Sequence, residues 1–218
     1  MSARVGAMTV LLAVVLTTPV AAHHVGTYVP RDNAISANFK QIKFAVQARK
    51  FDVALRLFER GDLRTEMRAR AARLPAGLPA GLEAATRAAL ERGDAADAEG
   101  HLMLFFSALA RDLARDAERQ LAEAATPPAT RLAIGQRFLE AIWRYYNLID
   151  FAVSTRDSKT SVAMRLAFDE AETYAKTPAA PGAAPTVDPD KLRGAFRRMA
   201  QILSDLIAAS STSARRDS

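Results

Sequence analysis

The chain contains three histidines, and two of them stand side by side just after a run of export character. Arg4 supplies a positive start, and Met8 to Val15 is an apolar stretch too short for a membrane span. Val20-Ala21-Ala22 then places small residues where signal peptidase needs them. Cleavage after Ala22 makes His23 the new N-terminus, and a free α-amine beside the His23 and His24 imidazoles is a set of nitrogen ligands for a transition metal. Were Ala22 retained, His24 would become the third residue, the arrangement in which deprotonated amides and an imidazole bind Cu(II) or Ni(II). The bland alternative is that the pair stands after the cleavage site by chance.

His101 is the remaining imidazole. On a helix it shares a face with Asp97 at i, i+4, and Phe105, Ala108 and Asp112 continue that face. Carboxylates with an imidazole could ligate iron, zinc or copper. No Glu-x-x-His pair is present, which excludes the carboxylate-bridged di-iron pattern. The competing reading is a partly buried histidine bonded to a neighbouring aspartate.

A third polar group lies further on. Trp143, Arg144, Tyr145, Tyr146, Asn147 and Asp150 crowd one apolar helix, and Arg156, Asp157, Asp169, Glu170 and Glu172 come after them. Asp150, Asp169 and Glu172 could form an acidic metal site at a bundle end. The alternative is a structural arginine–aspartate network with tyrosine hydroxyls bonded across the bundle, since buried charges are retained when paired. The metals these residue types imply are copper or iron. No nucleophile elbow, phosphate loop, dinucleotide fingerprint, haem-attachment motif or metalloprotease helix occurs, so nothing in the chain supports catalysis.

From Tyr145 to Tyr174 the order is an aromatic helix, Ile-Asp-Phe-Ala-Val, a Thr-Arg-Asp turn and Arg-Leu-Ala-Phe-Asp-Glu-Ala-Glu. This resembles the extracytoplasmic helical domains of bacterial high-affinity iron permeases, which repeat a Tyr-led helix, an Arg-Asp turn and a second helix containing Ala-Phe. Asp150 stands where that pattern has Glu. The resemblance implies metal handling and assigns no ligand residue.

Composition frames these candidates. Half of the residues are hydrophobic, alanine is abundant, and glycine and proline number 10 each, which favours helices. There is no cysteine, so disulfides, thiolate metal sites and cysteine nucleophiles are excluded. An exported chain without disulfides points to a bacterial periplasm. The formal charge is +6, and Arg31 to Arg73 alone holds 11 Lys/Arg against 5 Asp/Glu. That region could touch an anionic membrane surface, an acidic partner or an anionic ligand, or be a solvated face. Export argues against nucleic acid as a partner.

The elements that must position these groups are all helical. The predicted fold is an all-α antiparallel bundle of about six to eight helices. It divides into a signal peptide 1–22, an extended arm 23–33, a bundle 34–176, an Ala/Pro linker 177–187, a C-terminal amphipathic helix 188–210 and a disordered tail 211–218. Asp32 or Asn33 should cap the first helix. Gly61 and Gly93 should end helices in the left-handed conformation, and Asp157 or Ser158 should start another. Asp188-Pro189 reads as an N-cap with proline at the first helical position. The predicted interior includes Phe39, Ile42, Leu57, Phe105, Phe106, Leu109, Leu113, Phe138, Ile142, Ile149 and Leu166, with Val162 also facing inward. Function then divides between an exported metal-handling protein and a metal-free helical scaffold that binds another envelope protein.

Overall fold

In the computed structural model, residues 31–73, 80–175 and 188–213 are described. Within them the chain forms eight helices and no strand: α1 Ala34–Gln47, α2 Phe51–Arg60, α3 Asp62–Arg73, α4 Leu82–Arg92, α5 Ala95–Leu121, α6 Pro128–Arg156, α7 Ser158–Ala175 and α8 Pro189–Ser213. The predicted signal peptide, the 177–187 linker and both His23 and His24 lie outside the described residues.

The helix starts obey their capping chemistry. Asn33 accepts the Ser36 backbone N–H while the Ser36 hydroxyl accepts the Asn33 N–H, a reciprocal box at the head of α1. Asp94 caps α5 through the Asp97 N–H at 3.0 Å. Asp157 caps α7 through the Thr160 N–H, and Asp188 accepts from the Asp190 and Lys191 N–H groups ahead of α8. Each satisfies amide donors that the first helical turn leaves without partners.

α5 is the central helix. Residues 102–111 are buried on every side, because α4, α6 and α8 all pack against it and α1 touches it as well. α6, α7 and α8 close a four-helix unit around α5, in which α6 meets α7 and α7 meets α8. The helices α1 to α4 form a smaller layer that joins this unit through α4 on α5 and α1 on α6. Phe106 ties the two parts together: its ring stands 4.8 Å from Phe39 on α1, 5.4 Å from Phe105 and 5.8 Å from Tyr145 on α6. α8 belongs to the same core, with Leu192, Phe196, Met199 and Leu203 fully enclosed.

Two expectations are corrected. Gly61 is extended, with φ −95° and ψ 165°, not left-handed. It is glycine for space: a Cβ there would overlap the Asn38 carboxamide, which accepts the Leu63 N–H at 3.1 Å and donates to the Leu57 carbonyl at 3.1 Å. Asn38 thereby joins the end of α2 to the start of α3. On α7, Val162 and Leu166 face solvent, and the buried stripe is Ser161, Met164, Phe168, Ala171, Glu172 and Ala175. Met164, Phe168 and Ala171 set this phase, and it also encloses polar Ser161, whose hydroxyl bonds Asp150. Apolar content alone cannot anticipate that phase. Leu57, Leu113 and Phe138 are partly buried against the core, and the predicted interior residues other than these and Val162 and Leu166 are buried.

Candidate functional site

His101 sits near the start of α5, half-buried, and its Nδ1 has no hydrogen-bond partner among the described residues. Burial holds the imidazole pKa below its ordinary value. The nearby Asp97 charge opposes that shift and Arg92 reinforces it. Asp97 is already engaged, since Arg92 donates to its carboxylate at 3.2 Å. On the adjoining face of α5, the Arg156 guanidinium bonds the Ala96 carbonyl at 3.2 Å and would lie 3.7 Å from a Cβ on Gly100. Two guanidinium groups therefore border the start of α5 beside Asp94 and Asp97, and Arg92 takes up the Asp97 carboxylate.

Asp150 projects from α6 toward α7. It accepts the Ser161 hydroxyl at 3.0 Å and is held by the Arg165 guanidinium, whose Nε lies 3.3 Å from Oδ1. Tyr146 is enclosed one turn earlier, near both Asp150 and Ser161 but without a hydrogen bond of full geometry. Its phenol pKa is pushed up, first by burial and then by the Asp150 charge. Asp169 is exposed on α7, and Glu172 is buried one turn further along. Among the described residues, no group of three or more His, Asp or Glu side chains is gathered as a metal ion would require. Asp150 thus anchors a structural network joining α6 to α7. The partner supplied by the fold is Arg165, which the sequence pattern did not single out. Tyr145 also bonds across the fold, accepting from the Asn33 amide at 2.9 Å.

Part of the basic region resolves into pairs. Arg64 and Arg68 both reach Glu83 at the start of α4, and Arg87 of α4 bonds Glu59 of α2 at 2.9 Å. Arg70 bonds Glu66 at 2.8 Å and approaches Asp112 of α5 at 3.8 Å. Of the i, i+4 arginines Arg56, Arg60, Arg64 and Arg68, two are therefore met by one acid from α4, which sequence spacing could not reveal because Glu83 is distant in the chain. A cleft of about 510 Å³ opens between α1 and α2, lined by Asn38, Gln41, Arg56, Leu57 and Arg60. Arg56 is held there by Asp52 at 2.9 Å.

The feature that sequence reasoning missed is apolar. Four large hydrophobic side chains are exposed among the described residues: Phe44 at 70 %, Phe151 at 75 %, Val162 at 56 % and Leu166 at 63 %. They belong to α1, α6 and α7 alone. Phe151 also lines a shallow groove with Phe39, Lys43, Val46 and Leu102. No described helix is long and apolar enough to cross a membrane. No protein-family model matches this chain, and no curated protein or solved structure matches it either.

Proposed function

We propose that this chain is an exported, non-enzymatic helical-bundle protein that acts by docking on another envelope protein through the outer face of α6 and α7. The observation that carries this reading is the exposure of Phe151, Val162 and Leu166 on two helices that pack together. We read α6 and α7 as antiparallel neighbours, because Asp150 meets Ser161 while Gln136 donates to the Ala175 carbonyl at 2.8 Å. Numbers rise on one helix as they fall on the other. In that register, Phe151 and Val162 lie one step beyond a contacting pair and turn to the same outer side. Leu166 comes one turn after Val162. Single exposed apolar side chains are ordinary on a soluble domain, whereas grouped ones mark contact surfaces. Export rests on the character of residues 1–22.

A photo-reactive phenylalanine analogue placed at Leu166 in the native host tests this. A discrete adduct is expected, lost when Val162→Glu is added and missing when the analogue replaces Gln201 on the exposed side of α8. The same adducts from both positions, or none from Leu166, would refute the docking face.

A metal-handling role, for copper or iron, is the second reading. Its support is the His23-His24 pair after Ala22 and the His101 Nδ1 without a partner. Cu(II) heads the affinity order for such nitrogen ligands. They must be deprotonated, with ordinary pKa values near 6.5 for imidazole and about 7.7–8.0 for the α-amine. Calorimetric titration of secreted protein should show Cu(II) binding at neutral pH that weakens sharply near pH 5 and disappears in the His23→Ala, His24→Ala variant. Equal copper affinity in parent and variant removes the N-terminal site.

A further inference from the structure

The end of α1 combines an exposed aromatic ring, a run of cations and a strained backbone residue. Phe39, Ile42, Ala45 and Val46 take the inner face of α1, leaving Lys40, Phe44 and Gln47 outside. Between Ala34 and Phe51 the chain carries Lys40, Lys43, Arg49 and Lys50 and no acid. Arg49 and Lys50 are exposed and have no ion pair among the described residues. The Lys43 ammonium lies 6.0 Å from the Phe39 ring centre and makes no ion pair among those residues, with Glu99 lining the same groove. Asp52, the next acid along the chain, is held by Arg56 at 2.9 Å.

The backbone supplies an independent observation. α1 ends in a turn where the Lys50 N–H bonds the Ala45 carbonyl at 2.8 Å and the Arg49 N–H bonds the Val46 carbonyl at 2.9 Å. α4 ends in the same turn, with Asp94 on Ala89 at 2.9 Å and Gly93 on Leu90 at 3.2 Å. At the left-handed position α4 has Gly93, with φ 72°, whereas α1 has Arg49, with φ 56°. Arg49 is the one non-glycine residue with positive φ among the described residues. A side chain there is disfavoured, and such strain gathers at functional positions. Here it places an exposed cation at the end of α1, the helix that also carries the exposed Phe44.

We propose that the α1–α2 corner seats this protein on an anionic lipid bilayer. Phe44 enters the interface, and Lys43, Arg49 and Lys50 meet the lipid phosphates. Anionic leaflets attract clustered Lys and Arg, and an apolar ring among them adds partial burial in the headgroup region. This surface uses none of Phe151, Val162 and Leu166, although Lys43 and Phe151 line one groove.

Co-sedimentation of the full chain with phosphatidylglycerol-containing vesicles, beside pure phosphatidylcholine vesicles, tests the proposal. Binding is expected to the anionic vesicles alone and should fall in high salt. Phe44→Ala should weaken it about tenfold, the scale of burying one aromatic side chain. Arg49→Gly should weaken it about fivefold, the share of one cation near an anionic surface. Its thermal midpoint should equal or exceed the parent's, because glycine accepts the left-handed turn. Leu166→Ser should bind vesicles like the parent. Absence of binding to anionic vesicles, or undiminished binding by both Phe44→Ala and Arg49→Gly, would overturn the proposal.

Discussion

At Gly61 the space a Cβ would need is taken by the Asn38 carboxamide, which bonds the last turn of α2 and the first turn of α3. Gly61→Ala must displace that carboxamide and leave two buried polar partners unmet. The expected cost is about 1–3 kcal/mol in urea unfolding, and Asn38→Ala should cost a similar amount by the same route. If Gly61→Ala is neutral, the close approach carries no energy. His101 gives a pH-dependent expectation. Its folded pKa is lowered, with burial as the main cause, so the unfolded chain binds the proton more readily. Stability is then intact above the ordinary imidazole range near 6.5 and declines as pH falls through it toward the lower folded value. The parent should lose stability as pH falls from neutrality through the imidazole range near 6.5, and His101→Gln should lose less. Unfolding midpoints of the two proteins across that interval check the sign.

On the scale of elements, α7 separates polarity from burial. Its inner stripe includes Ser161 and Glu172, while Val162 and Leu166 are exposed. Met164→Ala is expected to cost about 2–5 kcal/mol, the range for emptying a core position. Leu166→Ser should change stability by no more than about 0.5 kcal/mol, as for other surface substitutions. Denaturant titration of both variants decides the phase, and a large loss in Leu166→Ser would reverse it. The α3–α4 contact shows the same dependence on neighbours. Arg64 and Arg68 converge on Glu83, turning what reads as a one-sided basic helix into part of an ion-pair cluster. Arg68 is exposed and its pair contributes little, whereas Arg64 and Glu83 are part-buried and tie α3 to α4.

For the whole molecule, α8 is the element that completes the core around α5. It packs on α5 and α7 and encloses Leu192, Phe196, Met199 and Leu203. Ending the chain at residue 187 would open that side of α5 to water. The truncated protein is expected to lose cooperative thermal unfolding and to self-associate, because the exposed stripe is large and apolar. Circular dichroism melts with size-exclusion chromatography would show this. A sharp transition in a monomeric truncated protein would make α8 an appendage. The exposed large hydrophobic side chains lie on α1, α6 and α7 and none on the described part of α8, so the proposed apolar contacts draw on those three helices.

Local chemistry was readable along the chain. Helix periodicity, the caps at Asn33, Asp157 and Asp188 and the left-handed Gly93 all depend on residues within a few positions of one another, where short-range hydrogen bonding and sterics dominate. The all-helical class and most of the interior come from the same repeat of apolar positions. Decisions between distant residues were not readable. Arg165 fastening Asp150, Glu83 meeting two arginines and Asn38 filling the space beside Gly61 join positions from different helices. So does the rotation of α7 that leaves Val162 and Leu166 outside. Which face of a helix is buried is settled by the neighbour that covers it, and polar side chains go inside when that neighbour supplies their partners. The sequence alone therefore determined the helices and their ends. Only tertiary packing decided which charges are neutralised and which apolar side chains remain free to meet a partner.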